Sequence, residues 1–125
     1  MRVIDNTRLP LSSLPGIVHT TLAGSVDGLA HLSVWRQTIA PGAGTPPHRH
    51  ACEEVVVVES GTGELLVAGQ TQGFGPDSTL VIPGGVDHQI LNTGTEPMHL
   101  VAAFSAAPVV VVLPDGNPIE LPWRS

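Results

Sequence analysis

The stretch that decides the fold runs from residue 42 to residue 61 and reads GAGTPPHRHACEEVVVVESG. Its glycines and prolines predict a bent approach to His48. The four valines that follow Glu54 predict a strand, and Gly61 predicts the turn that ends it. Because the valine run is apolar on both faces of its strand, we expect a second sheet layer or a partner subunit to cover its outer face.

Short predicted strands, separated by turns rich in glycine and proline, continue on both sides of this stretch. Their near-regular spacing indicates a β-sandwich or β-barrel. Outside the termini, no segment shows the apolar spacing of a helix. A short helix near either terminus stays an open alternative. The predicted strands are Ile17–Ala23, Ala30–Ala40, Glu53–Glu59, Glu64–Ala68, Thr79–Ile82, His88–Leu91, His99–Phe104 and Val109–Leu113.

The composition is that of one folded domain and excludes several partners. The chain has 125 residues, of which 42% are hydrophobic and 13% charged, whereas an average soluble domain carries about 25% charged residues. The net charge is −6 and there is no lysine, so neither nucleic acid nor an anionic membrane surface is an expected partner. Aromatic residues make up only 3% of the chain, which predicts little stacking surface and a small, polar, anionic substrate.

The terminal segments and the cysteine content point to a cytoplasmic protein. Residues 1–15 have scattered polar residues and do not form a secretory signal. No apolar run approaches the roughly 20 residues that a membrane helix needs. The single cysteine, Cys52, rules out an intrachain disulfide. The apolar residues of the tail, Ile119 to Trp123, predict either a docked end or an arm laid on a partner subunit.

Four potential metal ligands share a spacing that can bring them together. His48 and His50 are two residues apart, and Glu54 keeps the same parity, so all three side chains leave one face of an extended segment. His88 begins a later strand, after the turn Pro83-Gly84-Gly85. Two such strands can face each other across a barrel, and the nitrogen and oxygen donors would then converge on one divalent metal ion.

These residues resemble the two sequence motifs of the cupin superfamily, over roughly residues 40–104. One departure occurs in the second motif, where Asp77 stands in place of the usual opening glycine. The departure affects a turn and not a ligand. The residues that match the first motif are Gly42, His48, His50, Glu54 and Gly61, and those that match the second are Pro83, Gly85, His88 and Asn92.

The resemblance implies an all-β, double-stranded β-helix, or jelly-roll, cupin barrel that forms a single domain over residues 1–125. The barrel core is expected at about residues 30–113, with arms at 1–16 and 114–125, and a homodimer is expected. The metal ligands carried over from the family are His48, His50, Glu54 and His88. The ion would be Fe, Mn, Ni, Zn, Cu or Co, because this ligand set suits several of them.

Other candidate site residues depend on strand parity. Glu53 is the rival carboxylate, but its parity turns it away from His48 and His50. Gln37 or Arg36 would contact substrate, according to which face of their strand lines the barrel. His99 is a candidate base or supporting group, although His99 and Phe104 have opposite parity and only one of them can face the interior.

Three further side chains have weaker claims to a role in the site. Cys52 shares the parity of the ligands, which would place it near the metal, but a lone cysteine usually acts as a small apolar residue. His19 and His31 are expected to be packing or surface residues.

The ligand set also predicts a chemistry. Three neutral imidazoles and one carboxylate would leave a divalent ion with a net charge near +1 and room for a small substrate bound through two oxygen atoms. The leading prediction is an oxygen-using dioxygenase that acts on a small oxygenated substrate. The alternatives are a metal-dependent isomerase or lyase for a sugar or oxo-acid, and a cupin that binds a small ligand without catalysis.

Overall fold

The structure is a computed structural model that describes all residues from Met1 to Ser125. Nine strands form two antiparallel sheets, with the orders β1-β2-β3-β9-β4-β7 and β6-β5-β8. This is the all-β jelly roll that the sequence predicted. The strands are β1 (Ser12–Leu14), β2 (Ile17–Ala23), β3 (Ser33–Ile39), β4 (Glu54–Ser60), β5 (Gly63–Val67), β6 (Gln70–Phe74), β7 (Ser78–Ile82), β8 (His88–Asn92) and β9 (Met98–Phe104).

The core lies against the inner face of the larger sheet. The central strands of that sheet, β3, β4 and β9, show this, since their residues alternate between buried and exposed. In β4, Val56 and Val58 are fully buried, whereas Val55 and Val57 are 40% and 45% exposed. Side chains on a strand alternate between faces, so the apolar run supplies both surfaces of the sheet. No other element of the chain covers the outer face at these two valines.

The smaller sheet is extended by single bridges that hold the loop carrying the histidines. Gly44 bridges to Leu91, and His48 bridges to His88 on β8. On its other side the loop is joined to the C-terminal segment, because Arg49 bridges to Val112. The segment before β4 therefore runs beside β8, although it is not a regular strand.

The structure differs from the sequence-based expectation at three elements. The sheet begins at Ser12, well before the expected core boundary near residue 30, because β1 and β2 form its edge. The strand β6 was not predicted, since its sequence, QTQGF, is polar and largely exposed. Residues 109–113 do not form a strand: Val109 and Val111 are buried, but the backbone pairs only at Val112, in two isolated bridges.

Two turns show why the motif positions carry the residues they do. Gly61, at the end of β4, has a φ of +108°, and a Cβ there would stand 2.8 Å from the Cα of Met98. Asp77 has a φ of +60°, in the left-handed region that favours glycine and that aspartate tolerates better than most residues. The departure from the second motif therefore preserves the turn.

Regular helical structure is confined to two three-residue 3-10 turns, Asn6–Arg8 and Ser25–Asp27. No helix in the structure is both long and apolar enough to cross a membrane.

Candidate metal centre

Three elements bring the four predicted ligands to one place. The loop before β4 carries His48, whose backbone exchanges two hydrogen bonds with that of His88, with N···O distances of 3.1 and 2.8 Å. The carbonyl oxygen of His50 accepts from the backbone N–H of Gly85 at 2.8 Å, which ties the loop to the turn before β8. Glu54 is the first residue of β4 and points inward.

The ligand atoms converge. One ring nitrogen from each of His48, His50 and His88 lies within 4.8 Å of the others. The Oε1 atom of Glu54 is 3.0 Å from Nε2 of His50 and 3.4 Å from Nε2 of His88. Glu54, His50 and His88 are buried, and a carboxylate is seldom buried without a partner.

The backbone sets the orientation of all three imidazoles. Each Nδ1 lies within hydrogen-bond distance of a carbonyl oxygen two residues away: His48 with Pro46 at 2.7 Å, His50 with Cys52 at 2.9 Å and His88 with Val86 at 3.0 Å. A carbonyl can only accept, so each Nδ1 carries a proton and each Nε2 faces the centre, where its lone pair would bind a metal ion. Nε2 of His88 is buried and has no hydrogen-bond partner.

These observations fit a divalent metal ion. A buried, unpartnered imidazole nitrogen is costly unless something binds it, and three imidazoles with one carboxylate are a common donor set for transition metals. The four residues would hold the ion, which would supply a net positive charge at the base of the cavity. Metal binding by these residues stays a prediction, and so does the identity of the metal.

The charges within the cluster are strongly coupled. Burial, with a smaller contribution from the neighbouring His88, lowers the pKa of His48 to about 4. Burial also disfavours the charged form of His50, but the hydrogen bond and charge of Glu54 raise the pKa of His50 above its ordinary value. Burial opposes ionisation of Glu54, yet the hydrogen bond with His50 and the nearby ring of His88 hold the pKa of Glu54 below its ordinary value. The carboxylate is therefore ionised at neutral pH.

Gly84 provides a test of how closely the two ligand-bearing turns must pack. A Cβ on Gly84 would stand 2.3 Å from the carbonyl oxygen of Ala51, next to His50. We therefore expect Gly84→Ala to lower the free energy of unfolding by about 1–3 kcal/mol and to weaken zinc binding. Urea denaturation and zinc titration measure the two effects. Gly75→Ala is the matched control, because no atom lies within 4 Å of a Cβ there, and equal losses in both variants would contradict the expectation.

A cavity of about 500 Å³ opens from the ligand cluster. Its walls are largely apolar, and three of the four aromatic residues in the chain line it: Trp35, Phe104 and Trp123. No lysine or arginine lines the cavity. The expectation of little stacking surface, drawn from the low aromatic content, is therefore wrong for this cavity. Besides the four predicted ligands, the polar lining residues are Gln37, Thr45 and Gln89.

The structure separates the remaining candidates by strand face. Gln37 is buried and lines the cavity, together with Trp35 from the same face of β3. Arg36 and His99 lie on the outer face of the sheet and are exposed. His99 meets the hydroxyl of Thr38 there, at 3.2 Å. Neither Arg36 nor His99 reaches the cavity, because β3 and β9 alternate regularly and turn these positions outward.

Two other candidates lie close to the ligands without joining them. Glu53 is exposed, as its parity predicted. The sulfur of Cys52 lies 3.5 Å from Nδ1 of His50, on the side of the ring away from the ligand cluster. Burial raises the pKa of the Cys52 thiol, which disfavours the thiolate that binds metals.

The sequence left two positions open, those of His19 and of the tail. His19 is 1% exposed and pairs in register with Gln37 across β2 and β3. The tail places Ile119, Leu121 and Trp123 in the cavity wall, so within this chain it is a docked end. Val18 is as apolar as Ile17, so the sequence of β2 did not mark the face of His19, and no sequence signal placed Trp123 beside it.

An antiparallel jelly roll whose two motifs meet at three histidines and a glutamate defines the cupin superfamily, and this chain is a cupin. Residues 2–121 match the family described as auxin binding protein. The chain therefore belongs to the auxin-binding protein family.

The relatives agree with that assignment. Auxin-binding protein 1 of Arabidopsis thaliana is 41% identical over 110 residues, which cover 79% of this chain and 55% of the relative. Auxin-binding protein T85 of Nicotiana tabacum is 43% identical over 112 residues, which cover 80% and 60%. The chain thus spans a little over half the length of the curated relatives it matches.

A solved structure supports the fold alone. The polyketide cyclase RemF from Streptomyces resistomycificus superposes with a TM-score of 0.73 and 21% sequence identity, over 97% of this chain and 87% of that one.

Proposed function

We propose that this protein binds a small aromatic carboxylic acid of the auxin type at a divalent metal ion, without catalysing a reaction. The observation that carries the proposal is the mixed lining of the cavity. The four predicted ligands His48, His50, Glu54 and His88 share the cavity with largely apolar side chains, which include three aromatic rings. A flat ring with one acidic group has the matching polarity.

The charge of the cavity supports the proposal. No lysine or arginine lines the walls, so a carboxylate has no side-chain cation to meet it there. Three neutral imidazoles and the ionised Glu54 would leave a divalent ion with a net charge near +1, which one ligand carboxylate would neutralise. Gln37 and Thr45 are neutral groups that can hydrogen-bond an oxygen atom.

The absence of a suitable acid or base outside the ligand cluster favours binding over catalysis. The other polar lining residues are two glutamines and a threonine, and none of them titrates near neutral pH. The family name and the relatives' names describe binding of auxin, and they support the same reading for this chain.

Calorimetric titration of the zinc-loaded protein with indole-3-acetic acid tests the proposal. We expect one molecule bound per chain, and binding at least about 10-fold weaker to metal-free protein or for 3-ethylindole, which lacks the carboxylate. Binding of indole-3-acetic acid that is independent of metal, or absent in every metal form, would overturn the proposal.

The dioxygenase, predicted first from the sequence, is tested on the same samples. Its support is a donor set that suits a redox-active ion and leaves room for substrate. Oxygen uptake by the iron-loaded protein with small diketones, enediols or the bound acid would favour that reaction over simple binding. An isomerase or lyase would convert its substrate without consuming oxygen.

The homodimer also stays a prediction, and the outer face of the larger sheet supports it. Val55, Val57 and Val81 are 40%, 45% and 73% exposed there, and Val55 pairs directly with Val81 across β4 and β7. Exposed apolar clusters commonly mark protein contacts. Light scattering that gives only the 13.0 kDa mass of one chain would contradict a dimer. The cytoplasmic location likewise stays a prediction.

A further inference from the structure

We propose that His19 is a positioning residue, which fixes the orientation of the Gln37 carboxamide in the cavity through a hydrogen-bonded relay that begins at the C-terminal tail. The relay runs from the carbonyl oxygen of Arg124 through Thr21 and His19 to Gln37. The proposal rests on the proposed function, because Gln37 matters only if a ligand occupies the cavity.

The relay has one consistent direction. The Thr21 hydroxyl donates its single hydrogen to the carbonyl oxygen of Arg124, at 2.8 Å. Its oxygen must then accept from Nε2 of His19, 2.7 Å away, because the hydroxyl has no second hydrogen to donate. His19 therefore carries its proton on Nε2, and its Nδ1 is an acceptor.

The acceptor on His19 determines how Gln37 is held. Nε2 of Gln37 lies 3.1 Å from Nδ1 of His19, and an amide N–H is the group that can donate to it. The amide nitrogen is thereby tied to His19, and the second N–H and the carbonyl oxygen are left for a ligand. If Nδ1 of His19 carried the proton, the amide would have to turn over to offer its oxygen instead.

Packing holds His19 neutral and in place. Its ring stacks on that of Trp123, with centroids 3.7 Å apart and an interplanar angle of 10°, and the edge of Trp35 meets it at 5.0 Å. Burial lowers the pKa of His19 to about 4, so the ring is uncharged at neutral pH. The docked tail thus supplies both the stacking partner and the first acceptor of the relay.

The first test reads the tautomer of His19 directly. In ¹⁵N-labelled, zinc-loaded protein without ligand, long-range ¹H–¹⁵N spectra should show His19 protonated on Nε2. A proton on Nδ1, or on both nitrogens, at neutral pH would overturn the proposal without any variant. The tautomer measurement does not depend on ligand binding. If wild-type protein fails to bind indole-3-acetic acid, that failure counts against the proposed function alone, and the tautomer of His19 still tests the relay.

The second test removes the hydroxyl. Thr21→Val should give His19 a mixed tautomer signal and weaken binding of indole-3-acetic acid by about 3- to 10-fold, the effect of one misplaced hydrogen bond. Thr21→Ser, which keeps the hydroxyl, should restore both. Thr38→Val is the matched control, because it removes a hydroxyl that meets a different histidine, His99, on the outer face. Thr21→Val with unchanged tautomer, or with unchanged affinity, would overturn the proposal.

Discussion

Replacing both His48 and His88 by alanine is expected to weaken zinc binding by more than about 100-fold. Loss of a group that merely orients a metal ligand already costs about 10- to 100-fold in affinity, and this variant removes two of the four converging donors. It also removes the buried Nε2 of His88 that has no hydrogen-bond partner. Competition titration of metal-free, untagged protein against a chromophoric chelator measures the change.

The control is His31→Ala combined with His99→Ala. Both of these histidines are exposed and lie outside the cavity, so this variant should bind zinc as the wild type does. An equal loss in both double variants, or no loss in either, would contradict the four-ligand site. Metal analysis of the wild-type protein by mass spectrometry identifies the ion acquired during expression, and near one iron per chain would favour the dioxygenase.

The Phe104→Ala variant is expected to lose about 3–5 kcal/mol of unfolding free energy, against a total of about 5–15 kcal/mol for a typical domain. Phe104 is 3% exposed. Its ring lies 4.3 Å from that of Trp35 and meets the ring of His50 edge-on at 5.3 Å. The substitution would remove an aromatic ring that lines the cavity beside His50.

Urea denaturation of the metal-free protein measures the loss in Phe104→Ala without a contribution from bound metal. Leu32→Ala is the control, because Leu32 is 55% exposed and substitutions at exposed positions usually change stability by about 0.5 kcal/mol or less. A loss below about 1 kcal/mol for Phe104→Ala would show that the ring is not part of the core as described.

Local patterns predicted most of the fold. The strand β2 has the predicted bounds, Ile17–Ala23, and β4 lies one residue from its predicted position. In both, β-branched residues and flanking turns give a strong local signal. The strand β6 escaped prediction because its polar sequence forms a strand only by pairing with β5. Residues 109–113 have strand-like composition, yet they have no neighbouring strand to pair with along their length.

The amino-acid sequence alone determined the class of fold and the four residues that converge, because ligand spacing and turn glycines are local properties that the backbone preserves. The tertiary structure alone decided what surrounds them. It gathered three of the four aromatic residues, from β3, β9 and the tail, into one cavity wall, and it set His19 against Gln37 and Trp123. Contacts between residues as far apart as 19 and 123 depend on how the sheets and the tail pack, and no pattern along the chain records that packing.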